Sequence, residues 1–131
     1  MSSGLVYELF DVLLDGLEDY TLDERGDVGS WVRMACIRGL TNFAELLFSN
    51  AAALPNFSEY LPAAKYHAAV SGILRQGVER LDNVRQIAGE HIARLLVLPL
   101  PDTADSSQWR IEGEILMKDL LLTYVFYCYE S

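Results

Sequence analysis

Twice in this chain an acidic residue stands six positions before an arginine, with valine just ahead of the arginine and an apolar helical stripe behind it. The first copy is Asp27…Val32-Arg33, followed by Ala35, Cys36, Leu40, Phe43 and Leu47; the second is Glu79…Val84-Arg85, followed by Ile87, Ala88, Ile92, Leu95 and Leu96. Apolar residues recurring at three and four positions mark helices buried along one side. An acid in the preceding turn can hold the arginine by charge-assisted hydrogen bonds. One such unit cannot bury its apolar face alone, so a second copy is what a layered arrangement requires.

The pattern is that of stacked helical-pair repeats of the HEAT type, in which Asp27 with Arg33 and Glu79 with Arg85 act as clasps between neighbouring pairs. The arginines are 52 positions apart, beyond the usual repeat of about 40 to 47 residues; residues 51–57 supply the excess as a loop. Gly26 and Gly29 let the chain turn ahead of the second helix, and Ser30 is its expected cap. The expected helices are 5–20, with Leu5, Leu9, Leu13 and Leu17 on one stripe and Asp11, Asp15 and Asp19 on another; 31–51; 58–78, with Ser58 as cap, Pro62 in the first turn and Ala64, Ala68, Ile73 and Leu74 as the stripe; a fourth after Asp82 as cap, ending before Pro99; and 109–129. No stretch alternates with a period of two, so no sheet is expected. The fold class is therefore all-α: about five helices, forming two antiparallel pairs and the first helix of a third. Residues 1–4 read as a start remnant and 5–131 as one helical-repeat domain of a longer solenoid, because the apolar run from Leu120 to Tyr129 calls for a covering element.

Charge and cysteine usage narrow the function. Residues 1–28 hold eight acids and one base, a local −7 within a chain of net charge −9. Such a surface repels phosphate backbones, which argues against nucleic acid. The longest apolar run is about half of a membrane span, and the acids at Glu8, Asp11 and Asp15 interrupt any leader-like segment. Cys36 and Cys128 lie in apolar stripes without disulfide or metal spacing, which favours free thiols and the cytosol.

No catalytic constellation is present. His67 and His91 have no paired ligand at metal spacing, and the acids of the first helix read as a solvated face. Asp19, Thr21 and Asp23 match the start of a calcium loop, but Glu24 and Ser30 stand where glycine and glutamate are required. Arg25-Gly26-Asp27 spells an adhesion tripeptide and Asn56-Phe57-Ser58 a glycosylation acceptor, both of which need an extracellular setting. Catalytic residues, metal ligands and cofactors are all expected to be none. Trp31, beside the acidic loop, either anchors a partner or staples the loop onto the neighbouring pair.

The stretch Asp19-Tyr20-Thr21-Leu22-Asp23-Glu24-Arg25-Gly26-Asp27-Val28-Gly29-Ser30-Trp31-Val32-Arg33 closely resembles the start of the C-terminal region of the tubulin-folding cofactor D family, and Glu79-Arg80-Leu81-Asp82-Asn83-Val84-Arg85-Gln86-Ile87-Ala88 resembles a later repeat of it. The resemblance covers residues 5 to about 118 and is loosest after Pro99. It implies a cytosolic, armadillo-like solenoid, associated with the cytoskeleton or centrosome. The implied role is to capture β-tubulin and, with other tubulin cofactors and an Arf-like small GTPase, to assemble or dismantle the α/β-tubulin heterodimer. Asp23, Glu24, Arg25 and Trp31 are the expected partner-binding residues. The other reading is a purely structural segment whose parent chain binds partners elsewhere.

Overall fold

The computed structural model describes residues 2–111 and 113. Five α-helices carry the fold among them: α1 (Ser3–Gly16), α2 (Gly29–Ser49), α3 (Phe57–Tyr60), α4 (Ala63–Gln76) and α5 (Asp82–Val97). α1 and α2 form one antiparallel hairpin and α4 and α5 another. α2 lies along α5, and α1 touches α3 and α4, so the two hairpins are layered as in helical-repeat proteins.

Sequence chemistry sets the helix ends. The Ser2 hydroxyl accepts from the Leu5 amide at 3.2 Å and caps α1, so Ser3 and Gly4 form its first turn. Pro62 starts a new helix instead of continuing the expected one. It has no N–H and keeps Leu61 out of the helical region, at φ −138° and ψ 88°, which separates the single turn of α3 from α4. Ser58 therefore lies inside α3, entered through Asn56 at φ 56°. The expected absence of a sheet is corrected by a two-residue hairpin, β1 (Leu22–Asp23) paired antiparallel with β2 (Gly26–Asp27). Strands this short show no alternation to read. Trp109, expected to open a last helix, closes a 3₁₀ turn (Ser106–Trp109) and is followed by extended Arg110; the rest of that expected helix, with Cys128, lies outside the described residues.

The core runs between the hairpins. Val6, Phe10 and Leu17 of the first hairpin meet Ile37, Leu40, Ala44 and Leu47 of α2, and these meet Tyr66, Val70 and Ile73 of α4 and Ala88, Ile92 and Leu95 of α5. One end is closed by aromatic rings: Phe48 packs on Phe57 and Tyr66 with centroids 6.0 and 4.9 Å apart, and Trp109 packs on Phe57 at 5.1 Å. The Trp109 indole N–H donates to the Leu61 carbonyl at 3.0 Å, which ties the segment after α5 back to the α3–α4 junction.

The buried stripes are rotated from those expected. α1 turns Val6 and Phe10 inward and leaves Leu5, Leu9 and Val12 exposed, and α4 buries Tyr66, Ala69 and Val70 in place of Ala64 and Ala68. In leucine-rich α1 and alanine-rich α4 more than one stripe is apolar, and packing selects among them.

Candidate functional site

The connection between α1 and α2 is organised by three aspartates, each used locally. The Asp19 carboxylate accepts from the Thr21 amide and hydroxyl at 3.0 and 2.6 Å, which closes the turn after α1. Asp23 accepts from the Arg25 amide at 2.8 Å and from its guanidinium at 2.7 and 3.1 Å, which folds the turn between β1 and β2. Gly26 completes that turn at φ 105°, a conformation that suits glycine. Gly29 is fixed by contact: its amide donates to the Thr21 carbonyl, and a Cβ there would stand 2.3 Å from the Asp19 carbonyl oxygen.

Asp27 caps the start of α2, the role expected of Ser30. Its Oδ1 accepts from the Ser30 amide at 3.1 Å, while the Ser30 hydroxyl donates to the Asp27 carbonyl at 2.6 Å. The same carboxylate takes the Arg33 guanidinium through two hydrogen bonds of 3.2 and 3.0 Å. Arg33 is fully buried. Its other donors reach the Asp19 carbonyl at 2.8 Å and the Gln76 side-chain oxygen at 3.1 Å, and its guanidinium lies 4.2 Å from the Tyr20 ring centroid. Gln76 donates to the Tyr20 hydroxyl at 3.1 Å and to the Leu17 carbonyl at 3.4 Å, and the Tyr20 hydroxyl donates to Glu79 at 3.1 Å. One arginine thus joins the α1–α2 connection to the end of α4. Among the described residues no buried side-chain polar atom lacks a partner.

The electrostatics follow. Burial alone would lower the Arg33 pKa, but the Asp27 hydrogen bonds, with Glu79 and Tyr20, raise it above the usual value. Hydrogen bonds from Arg33 hold the Asp27 carboxyl below the normal carboxylate range, those from Thr21 do so for Asp19, and those from Arg25 for Asp23.

The second clasp is built differently. Arg85 donates to the Glu79 backbone carbonyl at 2.9 Å and pairs with Asp82, while the Glu79 carboxylate turns to Tyr20. The expected Glu79–Arg85 carboxylate pair is therefore replaced. Glu79 sits in a short turn between α4 and α5, where the Tyr20 hydroxyl meets it from the other hairpin. The Arg85 side chain is one-third exposed.

On the surface of the connection, Trp31 is 56 % exposed, with the Arg25 guanidinium 5.4 Å from its ring centroid. Glu24 is exposed at the tip of the turn. Asp23, Arg25 and Trp31 thus form one ledge, and Trp31 stacks with its own loop. The Asp27 carboxylate of Arg25-Gly26-Asp27 is engaged by Arg33. His91 is buried, and burial lowers its pKa; a ring nitrogen of His67 lies 2.8 Å from the Gln108 carbonyl. Among the described residues no group of three or more His, Cys, Asp or Glu side chains could hold a metal, and no helix is long and apolar enough to cross a membrane.

Sequence reasoning missed Tyr20 and Gln76 as members of the arginine network. Gln76 did carry a signal: it continues the Ala69, Ile73 stripe of α4 as a polar residue at a core position, which requires a buried partner.

Layered antiparallel hairpins joined by a buried arginine define the class, an all-α helical-repeat fragment. Residues 67–123 match the family model described as tubulin folding cofactor D C terminal. The chain is also similar to the tubulin-specific chaperone D of Dictyostelium discoideum, 23 % identical over 130 residues that take in 88 % of this chain and 9 % of the relative. It therefore spans about a tenth of that protein's length. No solved structure matches.

Proposed function

We propose that this chain is a protein-binding helical-repeat segment of a tubulin-folding cofactor. In this reading it contributes to capture of β-tubulin and to assembly or disassembly of the α/β-tubulin heterodimer in the cytoplasm, together with other tubulin cofactors and an Arf-like small GTPase, at the cytoskeleton or centrosome. The observation that carries it is the ledge of Asp23, Arg25 and Trp31 with Glu24 at its tip. A half-exposed tryptophan stacked by an arginine is the composition of an interface anchor, and the hydrogen-bonded turn beneath it reduces the entropy lost on docking. Tubulin is acidic overall, so this acidic loop would meet a locally basic patch on it.

The test is capture of tubulin heterodimer by the immobilised 131-residue chain, beside a D23K/E24K variant of unchanged helicity by circular dichroism. Binding weakened about tenfold or more by the variant supports the reading. Equal binding by both removes the loop from the interface.

The second reading, a purely structural segment, is favoured by the burial of Arg33, which places the chain's best-organised polar network between its own hairpins. No tubulin binding by the isolated chain would support it.

A further inference from the structure

The layered hairpins leave one apolar surface without a partner among the described residues. Leu9, Val12 and Leu13 of α1 face Gly39, Phe43 and Leu46 of α2 across an open groove of about 390 Å³. Gly39 opens its base: a Cβ there would come within 3.1 Å of Leu13, filling space the groove now offers. Val12 and Leu46 are 66 % and 58 % exposed, and Leu5, one turn before Leu9, extends the apolar strip. The groove follows α2 from Gly39 to Leu46, roughly 10 Å at 1.5 Å per residue, the length of two turns of a docked helix.

Its rims carry charge. α1 contains three acids and no base. Asp11 is paired with Lys65, but Glu8 and Asp15 stand exposed beside Val12, on the flank turned away from α2. The α2 rim is mixed: Arg38 is exposed there, Glu45 is paired with Arg94, and Arg94 also holds the side-chain oxygen of Asn42 at 3.0 Å. A second copy would bring another chain of net charge −9 onto this face, and an anionic lipid surface would be repelled by it. The fitting occupant is an apolar ridge with positive charge on one side.

We propose that the groove between α1 and α2 receives an amphipathic helix from a partner protein, with its apolar ridge over Leu9, Val12 and Leu46 and lysine or arginine along the flank above Glu8 and Asp15. This is the helix-in-groove mode, read by anchors at i, i+3/i+4 and i+7. It is independent of the Asp23–Trp31 ledge, so a D23K/E24K variant should keep it.

The test uses the full chain and two fluorescein-labelled synthetic helices of about 18 residues with the same leucine ridge, one flanked by lysine and one by glutamate. Anisotropy titration should show the lysine-flanked helix binding about tenfold more tightly. Val12→Lys, at an exposed position, should abolish binding, and an E8K/D15K variant should reverse the preference between the two peptides. Several results overturn the proposal: no binding, equal binding of the two peptides, binding that survives Val12→Lys, dimerisation of the chain lost in Val12→Lys, or nuclear Overhauser contacts from the Val12 methyls to another segment of the same chain.

Discussion

Arg33 is the residue whose loss should cost this fold most, and the cost can be worked from its contacts. It is fully buried and makes two hydrogen bonds to the Asp27 carboxylate, one to the Asp19 carbonyl and one to Gln76. Arg33→Ala leaves the Gln76 oxygen and the Asp19 carbonyl short of a donor, at about 1 kcal/mol or more each when buried. It also strips Asp27 of its counter-charge. Asp27 is one-quarter exposed, so water offsets part of that loss, and the charge pair adds about 1 kcal/mol where a fully buried pair would add several. The total is about 3 kcal/mol, a large share of the roughly 5–15 kcal/mol that holds a domain folded. Arg33→Lys keeps the charge but cannot reach three acceptor directions, and should lose about 2 kcal/mol. Arg85→Ala removes a one-third-exposed side chain paired with an exposed Asp82 and should cost clearly less. Urea unfolding followed by circular dichroism, with equal m-values, measures all three. A loss below about 1 kcal/mol for Arg33→Ala, or a loss no greater than that of Arg85→Ala, would refute the view that this arginine locks the hairpins together.

Further outcomes follow from the same structure. Gly29→Ala should destabilise by about 2 kcal/mol, since the new methyl meets backbone atoms, whereas Gly4→Ala, in open space on a helix, should stabilise by about 0.5 kcal/mol; thermal unfolding of the two variants should shift in opposite directions. Trp109→Phe should cost about 1–2 kcal/mol by stranding the Leu61 carbonyl, and it should also remove the more buried component of the tryptophan fluorescence. Asp19, Asp23 and Asp27 all titrate below their unfolded values, so their contribution is present above about pH 4 and is lost as pH falls through the folded values. Asp27→Asn should flatten the acid limb of a stability-against-pH curve. Buried His91 is depressed by its environment, so the unfolded chain takes up its proton first and stability should already decline as pH drops below about 6.5; His91→Gln should remove that shoulder.

Periodicity and punctuation are local properties, and they were readable without coordinates. The helical class, the two long hairpin helices α2 and α5 and the stop before Pro99 all rest on spacing, caps and proline chemistry within a few residues. The Asp27–Arg33 spacing was equally local, because a turn acid and an arginine early in the next helix can meet through one short connection. What packing chose was invisible one residue at a time. Leu5 and Leu9 belong to as good a stripe as Val6 and Phe10, and only α2, α3 and α4 closing on the other side decides which pair stays in water. Glu79 is likewise six residues from Arg85 in sequence, yet a tyrosine hydroxyl from the other hairpin takes its carboxylate. Contacts across 43 and 59 positions, Arg33 to Gln76 and Tyr20 to Glu79, arise when two amphipathic hairpins bury their faces against each other. A burial of that kind is a property of both surfaces at once.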